Sequence, residues 1–243
     1  MQAPGRPQIT KIVAPNPGPM TLEGTNTYLV GSDPCLVIDP GPYDAAHLEA
    51  VRAAAAERGG IGTVLLTHSH RDHADGAAAL GAEVVLPGGG ETFAAAGARL
   101  TALATPGHAP DHVAYLTEDG VCFSGDLVLG LGSTIVPPGG GSLAAYMDSL
   151  RKLQGLELEL IAPGHGPWVT DPAAKLAEYV EHRLMRERRL LAALERGERS
   201  KAALLAEAWD DVPAELRPMA ARAMEAHLEK LAAESRLPAD LTD

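Results

Sequence analysis

Cysteines, aromatic side chains and long apolar runs are scarce in this 243-residue sequence. No apolar run approaches the roughly 18 residues that a membrane span requires, and this excludes an α-helical membrane protein. Residues 1–10 lack the apolar segment of a secretory signal. The two cysteines, Cys35 and Cys122, lie in apolar runs, so we expect two reduced core thiols rather than a disulfide. Together these absences predict a soluble cytoplasmic protein.

Basic residues are also few, with 20 Lys and Arg against 32 Asp and Glu and a net charge of −12. This balance argues against a broad nucleic-acid-binding surface. The exception is the segment 182–189, where Arg183, Arg186 and Arg189 recur at helical spacing. These arginines either contact phosphates or belong to a solvated helix face on which neighbouring glutamates pair with them. The sequence leaves both alternatives open.

Predicted strands and helices alternate over the first two thirds of the chain, and 46% hydrophobic residues suffice for a sizeable core. Short apolar runs bounded by turn residues predict strands. These are Thr27–Val30, Leu36–Ile38, Thr63–Thr67, Glu83–Leu86, Arg99–Ala104, Val113–Leu116, Val121–Ser124 and Leu158–Ile161. Helical spacing predicts helices at Asp44–Arg58, Asp72–Leu80 and Leu143–Leu153. The alternation is typical of an α/β fold.

After Pro172 the pattern becomes helical, with predicted helices at Ala173–Arg196, Lys201–Ala208 and Ala214–Glu234. We therefore predict two domains: a catalytic domain over residues 1–172 and a helical C-terminal domain over residues 173–243. Three helices of this kind are similar to a winged-helix unit with a rudimentary wing.

The densest chemical signal is the segment HSHRDH at residues 68–73. At the end of a strand His68 and His70 point the same way, because strand side chains repeat every second residue. Asp72 and His73 then begin the next helix and can face a second metal ion. Imidazole nitrogens and carboxylate oxygens are ligands that Zn²⁺ accepts. Three histidines and an aspartate in six residues therefore predict a metal site.

Three further candidates lie in loops that follow apolar runs. His108 ends the segment TPGH, Asp126 ends SGD, and His165 lies within PGHG. Each is flanked by glycine, which allows the backbone to approach a metal ion closely. Each is a weak signal alone, but together with the first segment they form a strong one.

The segments HSHRDH, TPGH, SGD and PGHG together resemble the ligand set of the metallo-β-lactamase superfamily, over about residues 20–170. The resemblance implies an αββα sandwich with two metal ions at one edge, between the sheets. It implies that one ion, expected to be Zn²⁺ with Mn²⁺ or Fe²⁺ as alternatives, is held by His68, His70 and His108. The other would be held by Asp72, His73 and His165, with Asp126 bridging both.

A narrower resemblance comes from the segment NPGPMTLEGTNTY at residues 16–28, from Asp111-His112 after TPGH, and from the helical tail. These features are similar to the lactamase-like-protein-two group. That group includes a mitochondrial single-stranded-RNA endonuclease and fungal thioesterases that release polyketides from carrier proteins. The resemblance indicates the subgroup and leaves the substrate open.

The expected chemistry is hydrolysis by a metal-bridging hydroxide. Two zinc ions about 3.5–4 Å apart share a water molecule and lower its pKa from 15.7 to about 7. The hydroxide attacks a carbonyl carbon or a phosphorus atom. Asp72 is expected to orient this water or to relay its proton.

Other polar residues have supporting predictions. The resemblance implies that Asp39 stabilises the site by hydrogen bonding to a ligand. His112 either supports a ligand in the same way or contacts substrate. A cleft position, and so a contact with substrate, is predicted for Ser133, Thr134 and Tyr146. Two histidines in helical patterns, His47 and His227, are predicted to be solvated.

Two hydrolytic functions fit these residues. Family resemblance favours phosphodiester hydrolysis of single-stranded RNA, with Arg183 and Arg186 as phosphate contacts, and this is the predicted function, with a thioesterase as the alternative. The net charge of −12 favours hydrolysis of a small or carrier-bound acyl thioester. True β-lactamase activity is disfavoured because zinc β-lactamases of the cysteine type place Cys where Asp126 stands. A complete ligand set disfavours a non-catalytic binding module.

Overall fold

Two β-sheets face each other in the computed structural model, which describes residues 1–242. The first sheet contains β1 (Gln2–Ala3), β2 (Arg6–Val13), β3 (Asn26–Val30), β4 (Cys35–Ile38), β5 (Ile61–Leu65) and β6 (Glu83–Val85). The second contains β7 (Thr92–Ala95), β8 (Ala98–Ala104), β9 (Val113–Thr117), β10 (Val121–Gly125) and β11 (Leu160–Pro163). In both sheets the strands are ordered as in the chain. The pairs β4–β5, β5–β6 and β10–β11 are parallel and the others are antiparallel.

The two sheets are held together by apolar side chains on their inner faces. Alternate residues of β4 separate into two cores: Leu36 and Ile38 face the second sheet, whereas Val37 faces outward against a helix. Across the inner core the rings of Tyr28 and Phe123 meet edge to face, with centroids 5.2 Å apart. A period of two in the sequence thus determines which side chains join the sheets.

Helices cover the outer face of each sheet. They are α1 (Ala45–Ala56), α2 (Arg71–Ala74), α3 (Leu143–Gln154), α4 (Pro172–Glu195), α5 (Lys201–Ala208) and α6 (Arg217–Ala233), with short 3₁₀ helices at Ala77–Leu80 and Ala214–Leu216. Helix α1 begins at Asp44, whose carboxylate accepts the His47 N–H, and packs against the first sheet. Helix α3 begins at Ser142 and packs against the second sheet. The predicted αββα sandwich is confirmed.

Helix α4 joins the sandwich to the C-terminal helices. Its first half contributes Leu176 and Tyr179 to the core beneath the second sheet. Its second half contributes Leu190 to a separate core that it forms with α5, α6 and Trp209. The tail therefore has its own apolar core but shares its first helix with the sandwich.

All eight predicted strands are present, with ends shifted by up to two residues. The strands β1, β2 and β7 were not predicted, because they are rich in polar, proline or alanine residues. The predicted helix Asp72–Leu80 is instead α2 followed by a 3₁₀ helix. Among the described residues no helix is long and apolar enough to span a membrane. The two cysteines are buried free thiols, as predicted.

Two predictions about histidines are wrong. His47 is buried, and its Nε2 lies 2.9 Å from Thr27 Oγ1. His227 is also buried, and its ring packs against Trp209 at 5.9 Å between centroids. Both lie on the helix face that packs against a neighbouring element, which the helical spacing alone did not reveal.

Candidate metal centre

The candidate ligands lie in the loops that follow strands. The segment 66–70 follows β5, Asp39 follows β4, Asp126 follows β10, and His165 follows β11; His108 lies in the loop between β8 and β9. Because β4 and β5 are parallel, as are β10 and β11, their carboxyl ends meet at the same edge of the sandwich. Residues from five loops are thereby brought together, as the sequence predicted.

Three imidazole nitrogens form a first group. Nδ1 of His70 lies 3.0 Å from Nε2 of His68 and 3.0 Å from Nε2 of His108. Ligand nitrogens about 2.0–2.1 Å from a tetrahedral zinc ion are roughly 3.3 Å from one another. The three nitrogens therefore have a spacing that a single metal ion fits.

A second group combines two imidazoles with two carboxylates. Nε2 of His73 lies 3.3 Å from Nε2 of His165 and 3.7 Å from Oδ2 of Asp72. Nε2 of His165 lies 3.4 Å from the same oxygen. Oδ1 of Asp126 lies 3.4 Å from the His73 nitrogen and 3.3 Å from the His165 nitrogen. These distances approximate the edges of one tetrahedron of donor atoms.

Asp126 lies between the two groups. While its Oδ1 faces His73 and His165, its Oδ2 lies 3.5 Å from Nε2 of His108. Among the described residues no group donates a hydrogen bond to the buried Oδ1. A buried carboxylate oxygen without a donor is costly unless a cation satisfies it. The donors present thus fit metal ions in both groups.

Hydrogen bonds on the far side of the rings orient the nitrogens of this centre. Nδ1 of His73 donates to Oδ2 of Asp39 at 2.8 Å, Nδ1 of His108 to the Ile135 carbonyl at 2.8 Å, and Nδ1 of His165 to the Gly24 carbonyl at 3.2 Å. Each bond places the ring proton on Nδ1 and leaves the lone pair of Nε2 facing the centre.

Asp39 and His112 support the centre from behind. Asp39 also accepts hydrogen bonds from the Thr67 N–H and hydroxyl, at 2.8 and 2.7 Å. Nε2 of His112 accepts the Asp126 N–H at 3.2 Å, and Thr105 Oγ1 lies 2.9 Å from its Nδ1. Both side chains are buried. Of the two alternatives for His112, the structure therefore favours support of a ligand over contact with substrate.

The charges in the centre divide the histidines into two kinds. Burial lowers the pKa of His68 and His108, so both rings are neutral. Burial also lowers the pKa of His165, but the carboxylates of Asp126 and Asp72 outweigh this and raise it to about 9. The pKa of His73 is likewise raised, because Asp126 and Asp39 outweigh burial. The carboxylates thus favour positive charge here, which protons or metal ions can supply.

Glycine is required where the loops pass close to the ligands. A Cβ at Gly164 would lie 2.7 Å from Oδ1 of Asp126 and 2.8 Å from Cε1 of His73. Gly125 has a φ of +47°, and its Cβ would lie 2.6 Å from Thr67 Oγ1. The glycines beside the predicted ligands therefore allow the backbone to pass directly behind the donor atoms.

A cavity of about 550 Å³ opens onto the centre. His70, Asp72, His108 and Asp126 line one end, and the C-terminal helices line the other. The predicted contact residues Ser133, Thr134, Arg183 and Arg186 lie on its wall. Tyr146, predicted to contact substrate, does not line it, and neither does His112. Tyr146 is fully buried, and its hydroxyl donates to the Leu127 carbonyl at 2.7 Å.

Much of the cavity wall was missed in the sequence. It consists of apolar side chains from the loop after β10 and from the tail, among them Leu129, Leu131, Trp209, Val212 and Met219. Thr67 and Thr105, which contact Asp39 and His112, were also missed as supporting residues.

The sequence model of the Metallo-beta-lactamase superfamily matches residues 20–83 and 80–165. A second model, the Beta-lactamase associated winged helix domain, matches residues 201–237. These two matches cover the sandwich from β3 onward and the last helices of the tail, in agreement with the predicted fold.

Curated relatives cover most of this chain. The Beta-lactamase-like protein 2 homolog of Drosophila melanogaster is 32% identical in an alignment that covers 94% of this chain and 89% of the relative. The Caenorhabditis elegans homolog is 36% identical and spans 78% of this chain and 72% of the relative. The Atrochrysone carboxyl ACP thioesterase of Aspergillus fumigatus is 37% identical and spans 80% and 67%.

Among solved structures, a metallo-beta-lactamase family protein from Thermus thermophilus superposes with a TM-score of 0.77 at 24% identity. The alignment covers 96% of this chain and 95% of that one. A beta-lactamase domain protein from Burkholderia ambifaria gives the same TM-score at 18% identity, covering 97% and 89%. At these identities the likeness shows the fold, tail included.

Proposed function

The chain belongs to the metallo-beta-lactamase superfamily of hydrolases, and we propose that it hydrolyses acyl thioesters with two zinc ions bound in its metal centre. One observation carries the choice of substrate: the cavity that opens onto the centre has a mainly apolar wall. An acyl chain can lie along this wall while its carbonyl reaches the donor atoms.

We assign His68, His70 and His108 to one ion and Asp72, His73 and His165 to the other, with Asp126 shared between them. Mixed imidazole and carboxylate donors at tetrahedral spacing suit zinc, and Mn²⁺ and Fe²⁺ accept the same donors. Bound ions would supply Lewis acidity and lower the pKa of a shared water from 15.7 to about 7. The chain supplies the positions of the donors and a mainly apolar cavity beside them.

Asp72 is positioned to transfer a proton from the attacking water. Its side chain is 34% exposed at the cavity, compared with 11% for Asp126. Burial raises the pKa of Asp72, but His165 and His73 lower it by more. The net shift is downward, so Asp72 is an ionised carboxylate. In the reaction an oxygen–carbon bond forms at the acyl carbon and the carbon–sulfur bond breaks. Asp72 accepts the proton of the attacking water and passes it to the leaving thiolate.

The tail takes part in this function by closing the cavity. We propose that residues 1–172 form the catalytic domain and that residues 173–243, whose last residue Asp243 lies outside the described residues, cover the acyl chain. Trp209 and Met219 of the tail line the same cavity as His70 and Asp72. The thioesterase from Aspergillus fumigatus, to which the chain is 37% identical, is consistent with this substrate class.

Hydrolysis of single-stranded RNA is the second candidate, because Arg183, Arg186 and Arg222 line the cavity. The ion pairs of two arginines on α4 make RNA the weaker of the two candidates. Arg186 makes two hydrogen bonds to the Asp211 carboxylate, at 2.6 and 3.1 Å, and Arg189 pairs with Asp210 at 2.7 Å. Arginines neutralised in this way contribute less to phosphate binding than free ones.

A parallel assay separates the two candidates. Zinc-loaded protein is given decanoyl-N-acetylcysteamine thioester and, separately, a single-stranded RNA oligonucleotide. We expect zinc-dependent release of free thiol, no RNA cleavage, and RNA binding that is weak at all salt concentrations. Zinc-dependent RNA cleavage without thiol release, with RNA affinity that falls steeply with salt, would reject the thioesterase in favour of the nuclease. The Asp126→Asn variant controls for contaminating hydrolases.

A further inference from the structure

Arg183 is a buried cation that forms no ion pair with a carboxylate among the described residues. The residue is only 4% exposed. Its Nη2 donates to Ser133 Oγ and to the Thr134 carbonyl, and its guanidinium carbon lies 5.3 Å from the centre of the Tyr146 ring. Its Nε is buried and has no hydrogen-bond acceptor among the described residues. The charge is therefore solvated by dipoles and a ring, without a carboxylate partner.

Arg186, one turn later on α4, is a buried arginine with a structural role. It is also 4% exposed, but it is paired with the Asp211 carboxylate and donates to the Ala208 carbonyl. A buried charge without such a partner destabilises the folded protein. Residues of this kind are expected where a ligand supplies the missing charge.

His182 provides a second free donor at the same wall. Its Nε2 accepts a hydrogen bond of 3.4 Å from Nε of Arg186, so the ring proton lies on Nδ1. That Nδ1 is buried and has no partner among the described residues. Both His182 and Arg183 line the cavity. Two consecutive residues of the cavity wall thus each carry a buried donor without a partner.

The position of Arg183 indicates which part of a substrate it meets. Thr134 connects Arg183 to Asp126 of the metal centre. Its hydroxyl donates to the Asp126 carbonyl at 2.7 Å, and its own carbonyl accepts a hydrogen bond from Arg183. A single residue, Thr134, therefore lies between the Arg183 guanidinium and Asp126. The phosphate of a carrier's pantetheine arm lies at the far end of that arm from the sulfur. A group on a short acyl chain lies much nearer to the reacting carbon.

We propose that Arg183, assisted by His182, binds a carboxylate on the acyl part of the substrate, so that the enzyme prefers monothioesters of dicarboxylic acids. This inference rests on the proposed thioesterase function. The carboxylate completes the guanidinium's hydrogen bonds and neutralises its charge. It holds the free end of the acyl chain while the thioester carbonyl faces Asp126.

The test compares matched substrates: succinyl, glutaryl and adipyl thioesters of N-acetylcysteamine against butyryl, valeryl and hexanoyl thioesters. We expect wild-type kcat/KM to be higher for the acidic member of at least one pair. A charge-assisted hydrogen bond corresponds to about a ten- to hundredfold effect. Arg183→Gln should remove this preference, measured as the ratio of kcat/KM between the acidic and the neutral member of each pair, while Arg183→Lys should retain part of it.

Arg188→Gln is the matched control, because Arg188 lies on the same helix and pairs with Glu181 at the exposed surface. It should leave both kcat/KM values unchanged. An equal loss on acidic and neutral thioesters in Arg183→Gln would overturn the inference. A second result would also overturn it: wild type prefers coenzyme A thioesters, which carry phosphates, over N-acetylcysteamine thioesters, and Arg183→Gln loses that preference.

A binding experiment separates this inference from the proposed function. If wild-type protein hydrolyses no thioester, the proposed function fails, but the anion site can still be measured. Glutarate should then raise the thermal midpoint of the zinc-loaded wild type more than butyrate does, and Arg183→Gln should abolish that difference. An equal effect of glutarate on wild type and Arg183→Gln would reject the site itself.

Discussion

Oδ2 of Asp39 accepts a hydrogen bond of 2.8 Å from Nδ1 of His73, and both side chains are almost completely buried. The bond fixes the ring so that Nε2 faces the metal centre. The same carboxylate accepts two hydrogen bonds from Thr67, the residue before His68. One aspartate after β4 thus positions donors of both metal groups.

Asp39→Asn is therefore expected to weaken metal binding without removing a ligand. An amide can present its NH₂ group to His73 and so favour the wrong ring tautomer. Loss of such a supporting partner typically costs 10- to 100-fold in metal affinity or activity, and we expect about that loss here. Competition with a chromogenic zinc chelator measures it. Affinity equal to wild type would contradict the orienting role.

Asp126→Ala is expected to abolish hydrolysis and to leave the fold intact. Its two oxygens face different donor groups, so its removal separates the two candidate ion sites. We expect kcat to fall by at least about a thousandfold, while the far-ultraviolet circular dichroism spectrum stays the same. Turnover close to wild type would show that the carboxylate is not needed between the groups.

Gly164→Ala is expected to disrupt the centre by steric contact alone. The added methyl group would lie 2.7 Å from Oδ1 of Asp126 and 3.0 Å from the carbonyl carbon of Gly125, so the ligand or the loop must move. Metal affinity and kcat/KM should each fall at least about tenfold. Gly155→Ala is the control, because its new Cβ would be no closer than 3.5 Å to another atom and its φ is −79°. Equal effects of the two substitutions would contradict the steric account.

Metal-free protein is expected to lose stability as the pH rises from about 7 to 8.5. In the folded state burial lowers the pKa of His165 and His73, but nearby carboxylates raise both above 6.5, that of His165 to about 9. A raised pKa stabilises the folded state fully below 6.5, and this contribution is lost as the pH rises through about 9.

Urea unfolding of the metal-free protein across this range measures the effect, and the His73→Gln/His165→Gln variant is its control. In that variant the free energy of unfolding should depend much less on pH. With saturating zinc the downward slope should disappear, because the folded histidines then stay neutral and bind no second proton. A metal-free wild type whose stability does not fall over this range would contradict the charge assignment.

The sequence revealed the candidate ligands because each lies in a short segment after a strand, three of them beside glycine. HSHRDH, TPGH, SGD and PGHG are local patterns, and the fold needs only to bring strand ends to one edge. Alternating apolar residues likewise identified strands such as β4, whose side chains divide between two cores. Local chemistry and periodicity were sufficient for these features.

The cavity and its charges depend on contacts between distant segments, and these were not visible in the sequence. Arg186 is paired and Arg183 is not because Asp211, in the turn after α5, reaches the guanidinium of Arg186. The burial of His227 likewise depends on the packing of α6 against Trp209. Strand β7 forms because its residues pair in register with β8, although alanine has little preference for strands.

If the proposed function is correct, two metal ions in this centre are required for hydrolysis of an acyl thioester. The most direct test is a zinc titration of metal-free protein in which bound metal and thiol release from decanoyl-N-acetylcysteamine are measured on the same samples. We predict no turnover without metal and a maximum close to two zinc ions per chain. Full turnover in the metal-free protein, or a plateau below one ion per chain, would contradict the claim.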